Sequence, residues 1–589
     1  MASIEQRLDV LRAWLTRNGG RIHPDIALAY DEQSGVHCRA STDLAADTSL
    51  CSVPHALALS SLNALVDDEL IAFRNRGIPV EAIGHFYLIH QYITKDTSFW
   101  KPYLETLPSP AHAHSTPFWF DNEDLAWLAD TDVYHTTLAR QAAQRANYEQ
   151  GLEVLQRAGV DTTPYTCKYW AAHKHDSDGR RQTVLMDMSR VSTVDLDFPV
   201  LFPIVDIPNH LPDANMDWTY DPGVFSIALA GSVTAGSQIY NNYGPKGNDE
   251  LLLGYGFCLL NNPFDKVLLT LKQPTPELQR DIRSVHSGYF TQDGVWNSEK
   301  ATFGIGRCVL DREDLSKIYT QWPEPLIEFL LYILRHERGL LFTFIQHPVA
   351  YLTSTDSVGS RYQPHLLRAI VQSLTPKLAK LRSAELSSPT NHKQIQAKTY
   401  RDSQVQILDS IINGCRDFLR LDFRPQNPEM QFSRGRGMLL TLEEILTIAG
   451  KSKHVGRMDG FLAGIAQSAG TDHVLQLRQA GWEEDVLALL LCHLSLDGWT
   501  QSPNPEYLTD IKVDAEEMEH AQGLYDIVRT AAQQLPDSLW HDQKWSASFI
   551  AAHGGLIMKY DSFMMMVPNA HSESEEARLV VYLHGLQQS

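Results

Sequence analysis

Residues 206–265 constrain this chain more than any other stretch. They open on Asp206-Ile-Pro-Asn209-His210, directly behind the apolar run 198–205. A run of that kind reads as a strand, and it ends in two hydrogen-bonding side chains at the edge of a core, where ligands are commonly read. Val224–Leu229 alternates like a second strand and closes at Ala230-Gly231. Tyr243 then precedes Gly244, a bend that only glycine tolerates cheaply. Five residues later Asn248 opens a short helical run ending in Tyr255-Gly256-Phe257. Singly, Asn209-His210 reads equally well as a turn cap, and the tyrosines as core aromatics. The order of the pieces makes them a candidate site.

That order, D-x-x-N-H, then Y-G-x-x-x-N-x-E-L-L-x-x-Y-G-F, then N-P, resembles the C-terminal half of a SET domain. The type it is similar to is the Rubisco large-subunit lysine methyltransferase class, which includes yeast ribosomal-protein lysine methyltransferases and the animal actin-histidine methyltransferase. Strand-like segments at 26–30, 35–40 and 50–54 resemble the N-terminal strands of the same fold, with Gly35, Ala40, Val53 and Pro54 in its G-x-x-x-x-A and V-P frame. Two places depart from the pattern. His37 and Cys38 follow Gly35-Val36 where the family has a second glycine, and Ser52 stands where it often has glutamate.

The resemblance implies an α+β chain with a SET-domain β-fold, made of residues 1–60 and 197–266. A large helical insertion at 61–196 interrupts it, and an all-α, substrate-binding-like C-terminal domain follows at 267–589. It implies S-adenosylmethionine as cofactor and methyl transfer to a protein nitrogen, first a lysine of a non-histone protein, with another acceptor such as histidine open. Tyr243 and Tyr255 would be catalytic. Arg190, Asn209, His210, Ser52 and Tyr243 would hold the cofactor, and Phe257 and Asp206 would line the substrate channel. Such a transfer is an in-line displacement that needs an aligned, neutral amine. The alternative is a SET fold with lost or repurposed transfer, serving as a peptide-binding module or for small-molecule chemistry in the same pocket.

Composition narrows the field. At 589 residues the chain has room for several cores. Fifty Lys+Arg against 71 Asp+Glu give a net charge of −21, which argues against nucleic acid or anionic membrane and would favour a basic partner. Seven scattered cysteines without C-x-x-C imply reduced thiols, a cytoplasmic or nuclear setting and no structural zinc. His112/His114 and His173/His175 have metal-pair spacing but no third ligand, and read as solvated or packing side chains. No signal peptide is expected, no apolar run reaches the length of a membrane span, and neither G-x-S-x-G nor Walker A occurs. Helices are expected at 3–17, with a Ser3/Gln6 capping box, and at 325–334, 400–419, 485–494 and 515–535, with a second box at Thr441/Glu444. Residues 384–396 read as an exposed connection and 431–437 as a turn-rich loop.

Overall fold

The computed structural model describes residues 3–583 apart from 33, 76, 108–114, 166–199, 355–357, 426–436, 450–454, 469, 472–475, 497–512, 535–540 and 569–573. The chain divides into two compact units, Met1–Lys266 with Lys380–Val405, and Val267–Ala379 with Gln406–Ser589.

The first unit begins with helix Ile4–Arg17. Ser3 Oγ accepts from the Gln6 amide at 3.3 Å while Gln6 Oε1 accepts from the Ser3 amide at 3.0 Å, forming the expected capping box. Leu8, Leu11, Trp14 and Leu15 face the core. Among the described residues nine strands follow: β1 (Arg21–Ile22), β2 (Ile26–Asp31), β3 (Gly35–Ala40), β4 (Ser49–Pro54), β5 (Leu59–Ser60), β6 (Val200–Leu201), β7 (Met216–Asp221), β8 (Val224–Leu229) and β9 (Gln238–Ile239). They form small antiparallel sheets ordered β1-β4-β8-β7, β2-β3-β9 and β5-β6. Period two decides what is buried: along β8 Phe225, Ile227 and Leu229 face the core, and across from them lie Val53, Cys51 and the strand they share. The helical insertion contributes Val80–Ile93 and Asp132–Arg157, packed at Gly151, where an added Cβ would stand 1.9 Å from the Phe86 ring.

Two expectations change here. The apolar run 198–205 does not continue as a strand toward Asn209; among its described residues, 200–205, only Val200–Leu201 pairs, with β5. Pro203 has no amide to give a ladder, and Ile204 turns into the left-handed region at φ +71°. The Phe202 amide then donates to Asp206 Oδ2 at 2.6 Å and closes a turn. Residues 384–396 are also only partly an exposed connection, because helix His392–Phe423 starts inside them. Asp124, 2% exposed, accepts from Asn391 Nδ2 at 2.8 Å and Gln394 Nε2 at 3.1 Å and pairs with Lys393 Nζ at 3.3 Å. Burial works against its charge, yet these donors together hold the carboxyl below its ordinary value. Polar residues serving a buried partner look solvated in a sequence.

The second unit is dominated by helices, among them Glu324–Glu337, Glu483–Leu496 and Ala515–Gln534, and the Thr441/Glu444 capping box forms with the Thr441 amide 2.8 Å from Glu444 Oε2. It is not all-α. β10 (Val267–Thr270) pairs with β11 (Thr302–Ile305), and β12 (Met438–Leu440), β13 (Ser562–Pro568) and β14 (Glu575–Leu583) form a sheet ordered β12-β14-β13. The methionine run of β13 hides its period: Phe563, Met565 and Val567 are buried while Met564 and Met566 are exposed. Asp561, 1% exposed, lies 3.0 Å from Arg361, 3.2 Å from His365 and 3.5 Å from Arg338. Among the described residues no helix is long and apolar enough to cross a membrane.

Asp124→Ala should lower unfolding stability by about 2 kcal/mol, because it leaves the buried Gln394 amide without its acceptor and removes the carboxylate shared by Asn391 and Lys393; urea titration of the purified protein measures it.

Candidate active site

The site is built around a parallel contact between two short segments. The Asn241 amide donates to the Asn209 carbonyl at 2.7 Å, and the Leu211 amide to the Asn241 carbonyl at 3.0 Å. His210 and Asn241 are thereby paired. Asn209 reaches the other way: its Nδ2 donates to the Ser34 carbonyl at 2.9 Å and ties the β2–β3 turn to the same place. Gly35, next in that turn, takes φ +63°, and a Cβ there would meet open space. His37, 1% exposed, donates from Nδ1 to the Gly35 carbonyl at 3.0 Å, so this departure from the family pattern braces the turn from inside.

Four rings gather at the bridge. The Tyr243 amide lies 3.0 Å from His210 Nδ1 and can donate to it. Nε2 is buried and has no hydrogen-bond partner among the described residues. Burial pushes the His210 imidazole below its ordinary value, with a hydrogen bond to the Asn241 backbone opposing and Lys246 adding to the fall. Tyr243 stacks on His210 at 5.0 Å and on Tyr255 at 4.7 Å between ring centres, and Phe257 lies 6.2 Å from Tyr255 and 6.4 Å from His210. The Tyr243 hydroxyl donates to the Pro208 carbonyl at 3.0 Å. Gly244 takes φ +98°, as the bend required, and its amide donates to Asn242 Oδ1 at 2.9 Å.

Helix Asn248–Tyr255 carries the second tyrosine, and a buried polar network fixes its far side. Asn248, fully buried, donates through its amide to Asp265 Oδ1 at 3.1 Å and through Nδ2 to the Leu259 carbonyl at 3.0 Å, and its Oδ1 accepts from the Leu259 amide at 2.8 Å. Asn262 donates to the Lys246 carbonyl at 2.9 Å, and Ser403 donates to Asp265. Gly256 ends the helix at φ +76°, and an added Cβ would lie 2.7 Å from the Ser115 carbonyl carbon. Tyr255 and Phe257 are therefore held on either side of a residue that can only be glycine. The Cys258 amide donates to Gln396 at 2.7 Å, which brings residues 380–405 into support of the loop.

The structure thus brings Asn209, His210, Tyr243, Tyr255 and Phe257 together. The Asp206 carboxylate accepts from the Phe202 amide and from the Tyr103 hydroxyl at 3.1 Å. Ser52 lies mid-strand in β4 between Arg21 and Ser226. Arg190 and the pairs His112/His114 and His173/His175 lie outside the described residues. Among the described residues no group of acidic, histidine or cysteine side chains has metal-binding geometry. Sequence reading missed Asn241 as a site residue; its signal is an amide inside the otherwise β-like 238–243 stretch.

No protein-family model matches the chain. It is 27% identical over 344 residues to the ribosomal lysine N-methyltransferase set10 of Schizosaccharomyces pombe, covering 55% of each chain. It is 26% identical over 314 residues to the protein-lysine N-methyltransferase EFM1 of Saccharomyces cerevisiae, covering 46% of this chain and 53% of that one. The human actin-histidine N-methyltransferase is 25% identical over 274 residues, 44% of each chain. The chain thus spans about half the length of the curated relatives it matches. Among solved structures, the SET domain of LSMT bound to lysine and AdoHcy superposes with a TM-score of 0.52 at 18% identity, covering 71% of this chain and 93% of that one. Rubisco LSMT bound to sinefungin and monomethyllysine gives 0.51 at 19%, covering 78% and 100%. The fold is a SET fold. The α+β reading holds with it; the D-x-x-N-H motif ends on the His210–Asn241 bridge, and the Y-G motif starts two residues beyond Asn241.

Two outcomes test this geometry. Gly256→Ala should cost at least about 2 kcal/mol in chemical denaturation, since strain and overlap act together. Asp249, on the same helix, is pushed up to about 6, chiefly by burial, with Lys266 opposing. A raised folded value means that the native state holds the proton more tightly, so stability falls as pH rises from the ordinary carboxyl range through about 6. Asp249→Asn should therefore raise the melting temperature at neutral pH, by on the order of 1–2 kcal/mol of stability, and leave it unchanged in acid near the ordinary carboxyl value.

Proposed function

We propose that this chain is an S-adenosylmethionine-dependent protein N-methyltransferase whose acceptor is a lysine of a non-histone protein. The observation that carries the reading is the aromatic cluster of Tyr243, Tyr255 and Phe257 packed against the His210–Asn241 bridge. Names of the relatives, two lysine methyltransferases and one histidine methyltransferase, support it.

The residues present fit the cofactor. His210 offers a buried ring nitrogen, Nε2, without a partner among the described residues, and Gly35 leaves room beside the turn that Asn209 grips. When bound, the cofactor supplies an electrophilic methyl on a sulfonium. Asn209 and His210 would hold it, and Arg190 would pair with its carboxylate. Tyr243, fixed by the Pro208 carbonyl and by two stacked rings, would offer its phenol oxygen to the donor methyl as an acceptor of weak C–H···O contacts, which would favour the transition state over the ground state. Tyr255 and Phe257 exclude water from the acceptor, and desolvation lowers a lysine amine from its ordinary value of about 10.4 toward the neutral nucleophile. The net charge of −21 favours a basic protein surface as substrate.

Calorimetric titration with S-adenosylmethionine tests the reading. Saturable binding is expected, weakened about tenfold or more in Asn209→Ala. Tyr243→Phe should keep binding within a few-fold yet lose most transfer of labelled methyl to a cell-extract protein mixture, and hydrolysis of the labelled product should yield methyl-lysine. Absence of binding at millimolar cofactor overturns the proposal.

A further inference from the structure

Arg335, in the last turn of helix Glu324–Glu337, is a buried cation of the second unit, 7% exposed. Its hydrogen bonds among the described residues are long and go to neutral oxygens: Nη1 donates to the Tyr351 hydroxyl and Nη2 to the Leu341 carbonyl, each at 3.3 Å. Nε–H is buried and has no acceptor among them. No carboxylate of the described residues lies within 4.0 Å of its nitrogens. The buried carboxylate of this unit, Asp561, is already shared by Arg361 at 3.0 Å, His365 at 3.2 Å and Arg338 at 3.5 Å. Arg335, Arg338 and Arg361 all act on the Tyr362 phenol, so Arg335 adds its charge to a region that is already positive.

A guanidinium cannot shed its proton to escape burial, and two long neutral bonds return only part of the hydration it gives up. The negative end of the helix accounts for an arginine in the last turn. It does not account for one buried this deeply with a donor unmade. A chain retains such a group where another molecule brings the acceptor.

Arg335 lines a cleft of about 230 Å³ that opens to solvent, with Leu278, Leu340 and Phe342 as apolar walls. The deep part is narrow, with room for a headgroup rather than a large ligand. Asp281, half-buried, lines the same cleft and forms no ion pair with Arg335. Its charge repels phosphate and other dianions. A planar fork beside apolar walls suits a singly charged carboxylate that carries an apolar tail.

We propose that this cleft binds an organic monocarboxylate, Arg335 holding the carboxylate and Leu278, Leu340 and Phe342 its tail. The site lies within the second unit and does not rest on the methyltransferase reading.

Ligand-observed NMR titration of the full chain with hexanoate tests it, with hexanamide and inorganic phosphate as controls. Saturable hexanoate binding is expected, at least about tenfold tighter than either control, lost in Arg335→Gln and only weakened in Arg335→Lys, which keeps the charge but not the fork. Asp281→Asn should tighten hexanoate by about threefold, and it decides the matter if the Arg335 variants do not fold. A short peptide ending in leucine, with a free or an amidated C-terminus, separates two sources of the group. Displacement of hexanoate by the free acid alone assigns the site to a protein chain end, and no displacement assigns it to a small molecule. Absent hexanoate binding, equal affinity for hexanamide, binding that survives Arg335→Gln, or an Asp281→Asn chain that binds no tighter overturns the proposal.

Discussion

Two backbone hydrogen bonds, Asn241 N–H to the Asn209 carbonyl and Leu211 N–H to the Asn241 carbonyl, are what the site depends on. They place His210 so that the Tyr243 amide can reach Nδ1. From there the stack His210–Tyr243–Tyr255 follows, and Phe257 closes its side. Asn209 joins the same contact to the β2–β3 turn. None of these side chains would be near another without a pairing that two amides enforce. Backbone bonds suit the task because their geometry does not depend on rotamers.

The support around the bridge is polar and buried. Asn248, Asn262, Asp265 and Ser403 satisfy one another and the backbone of residues 246–265. Such a network adds little net stability, but removing any member leaves a desolvated group behind. It rigidifies the loop bearing Tyr255 and Phe257 more narrowly than apolar packing does. Asp265 is raised by burial, with Ser403 and the Asn248 and Lys266 amides opposing, so its charge is tolerated only while those donors are in place.

Much of this was legible in the sequence, for identifiable reasons. β3 and Val224–Leu229 announced themselves by period two and by flanking glycines, and Gly244 and Gly256 by bends that side chains resist. What escaped was decided by partners far along the chain. The run 198–205 looked like one strand, yet Pro203 and the left-handed Ile204 break it, and the Asp206 carboxylate seals the break. Residues 391–394 looked solvated because their partner, Asp124, lies about 270 positions away. The Ser562–Pro568 strand hid in a methionine run that fits helix and strand alike. Asn241 went unremarked because local pattern does not show whether a buried amide finds its acceptor.

The Asn209–Ser34 bond joins residues 175 positions apart, with the whole helical insertion in the loop between them. Loop-closure entropy grows only logarithmically, so doubling that loop would cost about 0.6 kcal/mol. The two ends are fixed by strand pairing that the loop's own length does not alter. The insertion can thus change in length at small entropic cost, while its Ser115 and Tyr103 stay tied to the ring cluster through Gly256 and Asp206.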